Sequence, residues 1–111
     1  MVDTTKASES NYMTVDTVRE SPTKKIVFID EGEYTTQEYK GKTYEKFEIT
    51  VQIDGKTKIY APNKDTVKNI QMEFGKDSKN WIGKIARLQI SKANGKDIIM
   101  GMPMPILEPQ N

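Results

Sequence analysis

NKDTVKNIQMEFGKDSKNWIGKIARLQI, residues 63–90, is the stretch around which the rest of the chain is read. Val67, Ile70 and Phe74 recur at i, i+3 and i+7 and so share one face of a helix. Asn63 can cap the first turn, its side chain accepting from free amides. Gly75 follows the last apolar residue, where a left-handed C-terminal position is common. The spacing predicts a helix over 63–75. Beyond it the period changes, because Ala86, Leu88 and Ile90 alternate with Arg87, Gln89 and Ser91, as in a half-buried strand. The only tryptophan, Trp81, lies at this helix-to-strand junction and is expected to close the core against the helix, as a large and mostly buried side chain does.

Working outward, strands surround the helix. Ile26–Ile29 is a continuous β-prone run, and Gly32 suggests a bulge where that strand leaves the core. Residues 35–42 read as a polar connection. From Thr43 to Ile53, Phe47, Ile49, Val51 and Ile53 face one way, and Tyr44, Lys46, Glu48, Thr50 and Gln52 face the other. Asp54-Gly55 is a hairpin signal, with Lys56–Ala61 as the returning strand. A two-residue loop would set Ile53 against Lys56 and Val51 against Lys58. A three-residue loop sets Val51 and Ile49 opposite Thr57 and Ile59, and parity favours it. On that register Lys58 and Tyr60 share an outer face with Tyr44 and Lys46. Asn94-Gly95 marks a second hairpin before a last strand over 97–102.

The organisation expected is a flexible polar arm (1–23), one folded domain (24–102) and a Pro/Met-rich tail (103–111). The 111 residues suffice for one modest core. The formal net charge is +1, but it is unevenly spread. Residues 1–23 and 24–54 each carry a net −2, whereas nine lysines and Arg87 against Asp65, Glu73 and Asp77 give residues 55–96 a net +7. A basic half can present a positive face to a polyanion. There is no cysteine and no histidine, which removes thiol chemistry and the commonest metal ligand. Asp30, Glu31 and Glu33 lack the spacing of a cation loop, so no metal or other cofactor is expected. No nucleophile–base–orienter set or phosphate loop is visible, so the chain reads as a non-enzyme. Without an apolar run of about 20 residues or a signal-peptide core, a cytoplasmic location is expected.

The element order is three strands, the helix and two strands. It resembles the OB-fold, a mainly β, five-stranded Greek-key barrel with a helix between strands three and four. FGKDSKNWIGK also looks like the helix-to-strand junction of small phage-borne proteins of this kind. The resemblance implies binding of single-stranded nucleic acid, DNA in preference to RNA, as in replication, recombination or repair. The sheet face would supply Tyr44, Lys46, Lys58 and Tyr60. The flanking loops would supply Tyr39, Lys40 and Lys42 on one side and Lys92 and Lys96 on the other, with Lys84 and Arg87 extending the basic surface. The alternative is a protein-interaction module of the same fold, docking through the tail or an open sheet edge.

Overall fold

The computed structural model describes residues 11–104. Among these residues the chain is mainly β: one antiparallel sheet of six strands with two short helices. In order these are α1 (Val15–Glu20), β1 (Lys25–Phe28), β2 (Glu33–Tyr39), β3 (Lys42–Ile53), β4 (Lys56–Tyr60), α2 (Lys64–Phe74), a 3-10 turn (Ser78–Trp81), β5 (Ile85–Ala93) and β6 (Lys96–Met104). Among the described residues no helix is long and apolar enough to cross a membrane.

β1 and β2 run along the same edge of β3, Ile26 opposite Ile53 and Glu33 opposite Glu48. They behave as one strand broken by a bulge at residues 29–32. Asp30 fixes that bulge, its Oδ1 accepting from the amides of Gly32 (2.9 Å) and Thr50 (3.1 Å). Burial alone would raise the Asp30 carboxyl, but the hydrogen bonds from Thr50 and Gly32 prevail and hold it below the ordinary value. Gly32 sits at φ +72°, and a Cβ there would come within 2.7 Å of the Glu48 carbonyl oxygen. Only glycine fits a backbone that is both left-handed and so close to its neighbour.

Residues 35–39, expected to be a polar connection, belong to β2 and pair with β3 as far as Tyr39 opposite Lys42. Their threonines and tyrosines suit a strand, but both faces are wet and the apolar alternation that marks a strand is missing. The β3–β4 register also differs from expectation. Ile53 pairs with Lys56 and Ile49 with Tyr60, which is the two-residue loop. Asp54 (φ +49°) and Gly55 (φ +79°) are both left-handed, the geometry that matches strand twist in tight hairpins. Asp54 also accepts from the hydroxyls of Ser21 and Thr23, whose hydrogen bonds hold its carboxyl below the usual range. The parity cost is offset because Tyr60, not Ile59, fills the inner position, while Lys56 beside the turn stays exposed. Tyr60 is 2% exposed.

The barrel expected from the element order is not closed: no ladder joins β4 to β6 among the described residues. The free edge of β4 is occupied instead by the chain's own N-terminal part. Met13 N donates to Ile59 O and Ile59 N to Asn11 O, both at 2.8 Å. Residues 11–23 are therefore not the flexible arm expected. α1 is closed by a capping box between Thr14 and Thr17, Val18 is fully buried, and Arg19 reaches Asp97 at 2.8 Å. Residues 1–10 and most of the Pro/Met tail lie outside the described residues. Pro103 and Met104 continue β6 opposite Ala86 and Ile85. The ring of Pro103 is tolerated because alternate amides of this edge strand point away from β5, where no ladder needs them.

α2 covers the outer edge of β6 and follows the expected capping. Asn63 accepts from the Thr66 amide and Gly75 ends the helix. Ile70 is fully buried, with Val67 and Phe74 packed against the core. Thr66 Oγ1 accepts from the Gly101 amide at 3.0 Å, and Asn69 donates to the Gly101 carbonyl at 3.2 Å. Burial pushes the Tyr60 phenol up to about 12. A Cβ on Gly101 would lie 2.8 Å from Thr66 Cγ2 and 3.3 Å from Leu88 Cδ2. Gly101→Ala is therefore expected to wedge α2 off β6 and cost about 1–3 kcal/mol, as overpacking does. Urea denaturation checks this, and an unchanged midpoint would show that the helix does not bear on β6 there.

Candidate functional site

The β2–β3 hairpin projects beyond the rest of the sheet, since β4 pairs with β3 only from Ile49 onward. Its turn, Lys40-Gly41, has both residues left-handed. Side chains alternate between its two faces. The register places Tyr39 beside Lys42, Gln37 beside Tyr44 and Thr35 beside Lys46 on one face. Tyr39, Lys42, Tyr44 and Lys46, all singled out from sequence, thus share a surface. Lys40 Nζ stands 5.4 Å from the Tyr39 ring centre, and Lys46 Nζ 5.8 Å from that of Tyr12. The Tyr12 hydroxyl donates to Glu48 Oε1 at 3.3 Å. That hydrogen bond, the Glu48 charge and burial together raise the Tyr12 pKa.

The opposite face of the hairpin carries Tyr34 beside Phe47. Here a series of rings runs from solvent into the core. Tyr34, 72% exposed, meets Phe47 at 5.4 Å, Phe47 meets Trp81 edge-on at 6.0 Å, and Trp81 meets Phe28 at 5.7 Å. The Trp81 indole N–H donates to the Gly75 carbonyl at 2.8 Å, tying the series to the end of α2.

Between this face and α2 lies a groove of about 760 Å³. Lys64, Lys68 and Lys76 line it against a single acid, Glu45, with Tyr34, Phe47 and Trp81 as its aromatic wall; Lys46 borders it but sends its ammonium to the other face, towards Tyr12. Lys64 and Lys68, at i and i+4, are neighbours on one helix face, and both are exposed. The arrangement can hold a polyanion along the helix while offering a ring face on the other side.

Not every residue named from sequence comes here. Tyr60 points into the core and cannot stack on a base. Lys58 lies opposite Val51 on the inner side of its strand, because the two-residue loop reverses the face assigned to both. Lys84 is half-buried, its carbonyl accepting from the Phe28 amide at 3.0 Å. Arg87 is exposed on β5, between Lys25 and Met102. Lys92 and Lys96 flank the β5–β6 turn, where Lys92 is 4.0 Å from Asp97, the residue that also binds Arg19 of α1. That turn is tied to α1 rather than to the groove. Among the described residues no group of three or more His, Cys, Asp or Glu is placed to hold a metal ion.

Tyr34, Lys64 and Lys68 were not among the site residues picked from the sequence. The helical spacing of Lys64 and Lys68 was available there, but the hairpin that brings Tyr34 opposite them was not. No protein-family model, curated protein or solved structure matches the chain.

Proposed function

We propose that this chain is a non-catalytic binding protein for single-stranded nucleic acid, DNA in the first instance, held in the groove between the β2–β3 hairpin and α2. The observation that carries this reading is the pairing of three groove lysines, Lys64, Lys68 and Lys76, with the Tyr34–Phe47–Trp81 rings. Lysines neutralise phosphates without regard to sequence. An exposed ring backed by others is a platform for an unpaired base, whose faces a duplex would bury in its own stack. The reading agrees with an OB-like origin for the sheet. If β1 and β2 are taken as one bulged strand, the pairings β1–β3, β3–β4, β1–β5 and β5–β6 follow the order of a five-stranded Greek-key barrel left open at one seam. Residues 11–13 would then fill the side of that seam along β4, and α2 the side along β6.

The test is a fluorescence anisotropy titration with labelled oligo-dT, oligo-U and a duplex at two salt concentrations. Single strands are expected to bind, with log affinity falling against log salt at a slope of up to about −2, near 0.7 per phosphate contact. Absence of binding at low salt would end the proposal. Equal affinity for the duplex would remove its single-strand part. Binding that ignores salt would point to a docking module instead.

A further inference from the structure

We infer that the outer edge of β2 pairs with the same edge of a second copy of this chain, antiparallel and about a two-fold axis at Thr36. The inference is independent of nucleic-acid binding and starts from how the sheet disposes of its edges. β4 is covered by Asn11–Met13 and β6 by α2. β2, by contrast, has β3 as its one strand partner among the described residues, and it is a seven-residue strand without proline, lysine or a bulge. Such devices are how proteins keep an edge from pairing.

The backbone offers the right groups. Tyr39 and Lys42 close a two-residue hairpin, so Tyr39, Gln37, Thr35 and Glu33 direct their amides and carbonyls towards β3. Tyr34, Thr36 and Glu38 direct theirs outward. Antiparallel pairing about Thr36 sets Thr36 against its own copy and Tyr34 against Glu38, so every outward amide and carbonyl of these three residues gains a partner. The intervening positions set Thr35 against Gln37 and Glu33 against Tyr39. No like charges stand opposite one another, and each glutamate meets a tyrosine. The other open edge of the hairpin, along Lys42–Glu48, lacks this self-match: a two-fold centred on Glu45 would oppose two carboxylates, which is destabilising.

A ladder of one seven-residue strand is a small contact beside a standard interface of roughly 1,200–2,000 Å², so the dimer depends on concentration. It would join the Tyr39, Lys42, Tyr44 and Lys46 faces of two hairpins into one continuous surface.

Sedimentation velocity of the full chain over a concentration series tests this. The mass is expected to rise from 12.7 kDa towards twice that value. Thr36→Pro removes only an outward amide, leaving the β2–β3 ladder intact, and should hold the chain at monomer mass. Thr36→Lys keeps the amide but opposes two ammonium groups at the axis; it should also give a monomer at low salt. It serves alone if the proline variant fails to fold. A parent chain that stays monomeric throughout, or a folded Thr36 variant that dimerises like the parent, overturns the inference.

Discussion

Trp81→Ala is expected to lower the unfolding free energy by about 3–5 kcal/mol, the usual range for truncating a large aromatic core residue. Trp81 is 2% exposed, contacts Phe28 and Phe47 through its ring, and donates its indole N–H to the Gly75 carbonyl. The truncation opens a cavity under both rings and takes away the donor to Gly75, a further loss of about 0.5–1.5 kcal/mol. A small domain commonly has only about 5–15 kcal/mol in all. At roughly 4–8 °C per kcal/mol for a domain of this size, the melting temperature should fall by on the order of 20 °C. Trp81→Phe keeps most of the volume and loses the hydrogen bond, so it should cost clearly less. Urea denaturation of the three proteins checks the order. A loss below about 1 kcal/mol for the alanine variant would mean that the helix-to-strand junction is not held by this side chain. Because Phe47 rests on Trp81 and Tyr34 on Phe47, the alanine variant should also disturb the groove, so its binding carries no separate information.

That junction was legible in the sequence because several local signals agreed there. Asn63, the Val67–Ile70–Phe74 spacing and Gly75 each mark the same helix, and the period changes directly after it. β2 was not legible. A strand announces itself by alternation, and Tyr34–Tyr39 has solvent on both faces, so its threonines and tyrosines read as a loop. α1 failed for another reason: six residues with one fully buried side chain, Val18, are too short to display a period. The β3–β4 register was misjudged because parity was argued from Lys56 and Lys58, whereas the turn at Asp54-Gly55 and the burial of Tyr60 decide it. One residue of slip exchanges the faces of a strand, and with it Tyr60 and Lys58 left the candidate site. The groove combines a hairpin with a helix from a distant part of the chain, and only the fold brings Tyr34 opposite Lys64 and Lys68. The cluster of basic charge in residues 55–96 was visible beforehand, but not which of its lysines would stand together.

On the proposed function, groove substitutions should fail in two distinct ways. Lys64, Lys68 and Lys76 are exposed, so changing all three to alanine should leave stability within about 0.5 kcal/mol per site. It should weaken binding most at low salt and flatten the log–log salt slope by about 2, near 0.7 for each phosphate contact removed. Tyr34→Ala should instead weaken binding by about 1–3 kcal/mol at every salt concentration, with the slope unchanged, because a stacked base releases no counterions. Lys42→Ala with Tyr44→Ala probes the other face of the hairpin, and Lys92→Ala with Lys96→Ala the distant β5–β6 turn. Anisotropy titrations of all four variants against oligo-dT at two salt concentrations separate the paths open to the strand. Loss confined to the first two variants fits a ligand in the groove. Loss confined to the Lys42/Tyr44 variant moves the strand to the outer hairpin face, where Tyr39, Lys42, Tyr44 and Lys46 lie together. If the Lys92/Lys96 variant alone is weakened, the groove reading is wrong, because that turn is bound to α1 through Asp97 and Arg19 and contributes no side chain to the groove wall.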